Sequence, residues 1–312
     1  MKTHAKEAKK QRPMSELVAV KSGSYSDGHP LDTVHYWECK VILRGERFTS
    51  VQNFRDFGKL VRKTAQRCGV GFDTSEFVGR KPQMREVLFL DTHDFKLYNN
   101  AFILRRRTNY VDGFLVGDPE VVFKFRHTDL QTAAETDVRP RLPVDYRVKF
   151  KAEALPLKDK LGGHRLLYSH NVEFPLSAVQ SPLVPKTLEN VVRILPALKV
   201  LQTDESEHID FVNHVAVTEL LLDIGILDFG KGVEPKSSVS LWRTRGDFKQ
   251  LVGEFSFQWK FQRNNELHNE TIARCLKFLG ELQNTASDWV ELGVTKTAAV
   301  YRLHGNQPHC HE

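Results

Sequence analysis

Between Glu86 and Arg126 the chain reads EVLFLDTHDFKLYNNAFILRRRTNYVDGFLVGDPEVVFKFR. Three apolar runs here have the character of strands, and two of them carry cations at alternate positions. Successive side chains on a strand point to opposite faces, so Arg105 and Arg107 share one face while Arg106 takes the other. Lys124 and Arg126 repeat the pattern on the next strand. Like charges side by side on neighbouring strands destabilise a sheet unless something anionic sits among them. Arginine offers a planar fork of donors suited to phosphate oxygens, and lysine adds a point charge. Two such strands in phase make an anion-binding wall if they face the inside of a barrel, and a solvated basic face if they do not.

The same phase recurs in DYRVKFKAE, where Arg147, Lys149 and Lys151 alternate with Glu153 next on that face, and Arg243 and Arg245 in LWRTR extend it. Acids recur too. Glu38 and Lys40 share a face of YWECK with Tyr36; Glu219 and Asp223 share one in TELLLDIG; Glu254 lies in GEFSFQWKF beside Ser256, Gln258 and Lys260. Carboxylates inside a basic cavity need a divalent cation or a salt partner. Oxygen ligands of this kind select Mg²⁺ or Mn²⁺.

The elements that must position these residues are mostly strands. Strands are predicted over 33–44, 85–91, 101–109, 119–128, 144–153, 214–229, 237–245 and 250–261. Helices are predicted over 50–67, from Phe54, Phe57, Leu60, Val61 and Ala65 at helical spacing, and over 264–282. A short broken helix is expected at 186–200 and a last one at 286–292 or 295–301. Residues 155–185 are too punctuated by Pro and Gly to assign. About eight long strands without βαβ alternation argue for an antiparallel barrel or a strongly curved sheet rather than a parallel doubly wound one. The fold class is α+β: an eight-stranded antiparallel β-barrel with helices packed outside.

Residues 1–30 read as a disordered basic tail, 31–303 as a single domain with an insertion at about 155–213 that could form a lid, and 304–312 as a frayed tail. The 312 residues are 40% hydrophobic and 27% charged, which describes a soluble globular chain. No apolar run approaches the ~20 residues of a membrane span, and MKTHAKEAKK has no signal-like apolar core. The four cysteines (Cys39, Cys68, Cys275, Cys310) are scattered, which suits a reducing cytoplasm. His304, His309, Cys310 and His311 could ligate a transition metal, although incidental histidines in a frayed tail fit better. The net charge of +6 suits an anionic partner. Nucleic acid fits poorly, because the cations lie within strands rather than along a groove-reading helix.

The run FLDTHDFKLYNNAFILRRR followed by VVFKFR closely resembles the YYDT…L…LRRR…LK signature of the CYTH domain, also called the triphosphate tunnel metalloenzymes. The order of elements over about 33–261 agrees. The resemblance implies an eight-stranded antiparallel tunnel in which basic residues hold a triphosphate and carboxylates hold one or two divalent metals. It implies that Glu38 and Lys40 are the catalytic pair, Glu38 as a metal ligand and Lys40 on phosphate or water. By the same token Arg105, Arg107, Lys124, Arg126, Arg147, Lys149 and Arg243 bind substrate, and Glu38, Glu254 and a third acid, either Asp223 or Glu219, hold Mg²⁺ or Mn²⁺. The sequence departs from the family where Tyr36 replaces the first acid of ExExK and Ser256 stands at a second acid position. The expected function is a metal-dependent phosphohydrolase acting on inorganic or organic triphosphate. A non-catalytic polyphosphate- or nucleotide-binding module and a nucleotide cyclase stay open as alternatives, as does a homodimer.

Overall fold

Alternation at period two over most of the chain resolves into ten strands in the computed structural model, which describes residues 13–179, 187–204, 206–305 and 308. The strands are β1 (Tyr36–Arg44), β2 (Gly71–Asp73), β3 (Gln83–Asp91), β4 (Phe102–Val111), β5 (Phe114–His127), β6 (Arg147–Pro156), β7 (His164–Pro175), β8 (Asp210–Asp228), β9 (Lys236–Thr244) and β10 (Gln250–Lys260). Their order is β8-β3-β4-β5-β7-β6-β1-β10-β9, and a β9–β8 pairing closes the ring; β2 pairs with β8 outside it.

The ring therefore has nine strands where eight were expected. All neighbours run antiparallel except β1 and β6. Strands that alternate in direction cannot close on an odd number, so one parallel pair is unavoidable. The additional strand is β7, inside the stretch expected to be an insertion. Its ends are the punctuation that obscured it: Pro156 closes β6, Gly162 takes a positive φ in the turn, and Pro175 ends β7. Within β7, His170 stands at a core-facing position that would ordinarily be apolar. It is fully buried, stacks on Phe150, and its ring nitrogens meet Ala133 O and Asp32. Only 180–186 and 205 of the expected insertion, Lys186 among them, lie outside the described residues.

Helices α1 (Val51–Cys68) and α5 (Asn269–Thr285) pack side by side against the outside of the ring. Shorter helices are α2 (Lys96–Asn99), α3 (Leu130–Glu135), α4 (Leu188–Ile194) and α6 (Lys296–Tyr301). In α1, Phe54, Phe57, Val61 and Ala65 form the buried stripe, and Asn53 accepts the Ser50 backbone N–H at 2.8 Å. Gly69 ends the helix at φ 65°, a left-handed position that a side chain resists. Phe57, Phe255, Phe278 and Trp289 interlock between helices and sheet. Each such ring contributes roughly 1.5–3 kcal/mol by leaving water. Cys39 faces this layer, 4.0 Å from Cys275, and is core.

The expected N-terminal tail is shorter than 30 residues. Val18 and Tyr25 are buried, and the Tyr168 hydroxyl donates to Leu17 O at 2.7 Å; residues 1–12 lie outside the described residues. Among the described residues no helix is long and apolar enough to cross a membrane.

A second apolar cluster fills one end of the ring's interior. Ile42, Val87, Phe89, Ile103, Trp242 and Val252 meet Val300 and Tyr301 of α6 there. The Tyr301 hydroxyl donates to Asp91 at 3.0 Å, and Asp91 also accepts the backbone N–H groups of Thr92, Leu97 and Tyr98. The aspartate of the LDT run is thus a structural latch for α2 and α6.

Candidate functional site

Above that apolar floor the interior is polar. A cavity of about 400 Å³ is lined by ten cations and five carboxylates. The inward phase follows from the register: β4 presents Ile103, Arg105 and Arg107, β5 presents Lys124 and Arg126, and β6 presents Lys149 and Lys151. Arg106, on the opposite face as its position dictates, pairs outside the ring with Glu86 at 3.7 Å.

At the centre lies Glu153, with no exposed surface. Lys40 approaches it at 3.0 Å, Arg126 at 3.4 Å and Lys124 at 3.6 Å. Burial alone would raise its carboxyl, but the three cations hold it well below the usual carboxylate range. Glu38 sits with Lys40 at 3.1 Å and Lys151 at 3.2 Å, and its carboxyl is likewise held low against burial. Lys40, facing Glu153 and Glu38, is pushed above its ordinary value despite burial.

The cations of β4 and β5 are short of counter-charge. Lys124 is driven well below the ordinary lysine value, first by burial and then by Arg126, Lys40 and Arg105, against the pull of Glu153. Arg105 has no carboxylate partner among the described residues. Burial and the neighbouring Arg107 push it down to about 9. A guanidinium keeps its proton under any working condition, so Arg105 stays a buried cation, with Glu219 and Glu173 acting on it only from a distance.

On the opposite wall each carboxylate is already engaged. Glu219 meets Arg85 at 2.8 Å and Lys296 at 3.2 Å; Glu254 meets Lys296 at 2.8 Å; Asp223 meets Lys236 at 2.8 Å. Lys296 and Arg85 hold the Glu219 carboxyl far below its usual range against its burial. At the rim, Glu173 binds Arg147 and, at 3.1 Å, Lys149; with these cations outweighing burial, its carboxyl falls to about 2.

The structure brings together Glu38, Lys40, Arg105, Arg107, Lys124, Arg126, Lys149, Glu219, Asp223 and Glu254 in one cavity. Two expected substrate residues fall elsewhere. Arg243 pairs in register with Thr218 and Gln250, one position out of phase with the inward Trp242, and its guanidinium lies over Phe248 outside the ring, 5.1 Å from the ring centroid. Arg147 stands at the rim with an exposed side chain turned onto Glu173.

The four expected metal ligands do not converge on one point: Glu219 and Glu254 meet at Lys296, while Glu38 lies away from Glu254. The β1–β10 register sets Glu38 opposite Gln258 and Ile42 opposite Glu254, so the two carboxylates are four residues apart along the strands, about 13 Å at strand rise. Ser256 lies opposite Lys40 where another acid was expected. Among the described residues no three of His, Cys, Asp and Glu gather in a way that could hold a metal ion. With every nearby carboxylate neutralised by an ammonium or guanidinium, this donor set does not fit a resident Mg²⁺ or Mn²⁺. In the tail, His304 is exposed, while His309, Cys310 and His311 lie outside the described residues.

No family model matches the sequence, and no curated protein matches it. Among solved structures, the chain is similar to an adenylyl cyclase candidate from Hippeastrum described as revealing a dominant triphosphatase activity. That likeness has a TM-score of 0.42 and 14% identity, covering 88% of this chain and 98% of that one. It is similar to an adenylate cyclase candidate from Bacillus halodurans (TM-score 0.36, 11% identity, covering 83% and 93%). It is also similar to a Pyrococcus horikoshii protein (TM-score 0.35, 12% identity, covering 85% and 99%). Likenesses this distant carry no argument about what the tunnel does.

Several tunnel residues went unassigned in the sequence. Arg85 shares the inward phase of Val87 and Phe89, Asn171 and Glu173 come from the unassigned β7, and Lys236 opens β9. Lys296 had one visible cue: it is a lysine in the first turn of a helix, where the dipole disfavours a cation. Thr295 caps that turn by accepting the Ala298 N–H at 3.1 Å.

Proposed function

We propose that the tunnel captures a small polyanion of the triphosphate class, either inorganic or at the end of a larger molecule, and acts as a receptor for it. The observation that carries this reading is Arg105, a buried guanidinium with no ion pair among the described residues, beside Lys124, whose ammonium burial disfavours first and neighbouring cations second. An anion with several charges would supply the missing compensation through charge-assisted hydrogen bonds.

The pair expected to be catalytic is poorly suited to moving protons. A general base works best with a pKa near the operating pH, yet the Glu38 carboxyl is held low and the Lys40 ammonium high. Both groups stay charged, which suits holding a ligand better than activating water. Metal-dependent hydrolysis, the activity implied by the sequence resemblance, is the contrary outcome of the deciding experiment.

That experiment titrates the purified protein with tripolyphosphate by calorimetry and assays phosphate release with Mg²⁺ and Mn²⁺. The expected result is saturable one-to-one binding that weakens with salt, without turnover. Absence of saturable binding would sink the reading, and metal-dependent phosphate release would replace the receptor with an enzyme.

A further inference from the structure

Glu219 on β8 and Glu254 on β10 flank β9 and aim at one point, and that point holds a positively charged nitrogen of the chain itself. The Lys296 Nζ lies 3.2 Å from Glu219 Oε1, 2.8 Å from Glu254 Oε1 and 3.5 Å from Ser240 Oγ. Its ammonium is also 5.0 Å from the Trp242 ring centroid, on the ring face. Two carboxylates and a hydroxyl around one cation form the oxygen set that a hard metal ion would seek.

The geometry points to Lys296 as a tethered cation that occupies the place between Glu219 and Glu254, so that the tunnel takes its polyanion free of metal. This rests on the anion-capture reading above and specifies the ligand's form: the bare polyphosphate rather than its magnesium chelate. The helix behind Lys296 is firmly seated. Val300 and Tyr301 are fully buried, Tyr301 stacks on Tyr98 at 4.0 Å and donates to the Asp91 latch. A tethered ammonium competes at a high effective concentration with any ion arriving from solution. Mg²⁺ would have to shed water reluctantly to reach the same oxygens. Arg85 on the other oxygen of Glu219 deepens the mismatch, because it leaves the pair with little net charge to attract a divalent ion.

The test has two arms on the full chain. Mn²⁺ is titrated into anion-free protein and followed by electron paramagnetic resonance, and tripolyphosphate is titrated calorimetrically in EDTA and in Mn²⁺. Wild type should show no saturable Mn²⁺ site and should bind tripolyphosphate in EDTA at least as well as with the metal present. Lys296→Met should gain a Mn²⁺ site at least about tenfold tighter than anything in wild type, whereas Lys296→Arg should not. A saturable Mn²⁺ site in anion-free wild type, tripolyphosphate binding lost in EDTA, or a folded Lys296→Met without the new site would overturn the proposal. Should Lys296→Met fail to fold, the two wild-type titrations decide. If tripolyphosphate binds under neither condition, the capture reading fails, and the Mn²⁺ arm still judges the place of Lys296.

Discussion

On β4 and β5 the tunnel presents Arg105 without a carboxylate partner among the described residues and Lys124 as one of three cations around Glu153. On β8 and β10 it presents Glu219 and Glu254, each closed by Lys296, with Arg85 closing the first as well. The two walls are built from the same inward alternation, yet among the described residues one carries a guanidinium, Arg105, with no ion pair and the other carries carboxylates that are each paired. Buried charge without a partner raises the free energy of the fold. On the proposed capture reading, its presence on one wall alone is where the ligand's charge would be supplied.

The largest effect on this contrast should come from Glu153, the carboxylate at which Lys40, Lys124 and Arg126 meet. Glu153→Gln leaves three buried cations facing one another and should cost about 3–5 kcal/mol of unfolding free energy. Urea denaturation measures this, and tripolyphosphate should restore much of the loss; a change under about 1 kcal/mol would mean that the cations are well solvated. Next is Arg105→Met. It should weaken tripolyphosphate binding by roughly 30- to 1000-fold, the range for removing a charge-assisted pair, while raising the thermal midpoint of the free protein because an uncompensated charge is gone. Lower stability together with unchanged affinity would erase the distinction between the walls.

A third effect is set by pH. The folded state lowers the Lys124 value beneath that of the unfolded chain, so the protonated lysine destabilises the free fold, and stability is regained as pH rises through the depressed value. Anion affinity runs the other way. It is full while Lys124 is protonated and falls by up to about tenfold per pH unit once the proton is lost, the slope of one linked proton. Calorimetry across the pH range below the ordinary lysine value should show that decline in wild type and its absence in Lys124→Met. The smallest effect should be that of Arg243→Gln. Its side chain lies outside the ring over Phe248, so affinity should stay within about twofold and stability within ~0.5 kcal/mol. A large loss of binding would return Arg243 to the tunnel.

Much of this was legible in the chain. The inward phase of Arg105, Arg107, Lys124 and Arg126 follows from alternation alone, since a strand has only two faces. The long helices were legible from their apolar stripes, as in α1. The ninth strand was not, because its core-facing His170 is made tolerable by Ala133 O and Asp32, partners far away in sequence. Arg243 was misplaced because alternation tells which residues share a face but not which face turns inward. That choice is made by the pairing of Trp242 with Glu219 across β8 and β9. The separation of Glu38 from Glu254 is a matter of register between β1 and β10, and register is a property of two segments more than 200 residues apart.

The seating of α6 beneath the charged layer has a consequence for topology. With Ile42, Phe89, Trp242, Val300 and Tyr301 filling the far end, the tunnel is a cul-de-sac, and whatever enters must leave by the mouth it came in. A linear phosphate chain can be threaded only by its terminus, tip foremost, with the rest trailing into solvent. A ring of the same charge has no tip to offer. On the proposed capture reading, such a cavity would read ends rather than middles.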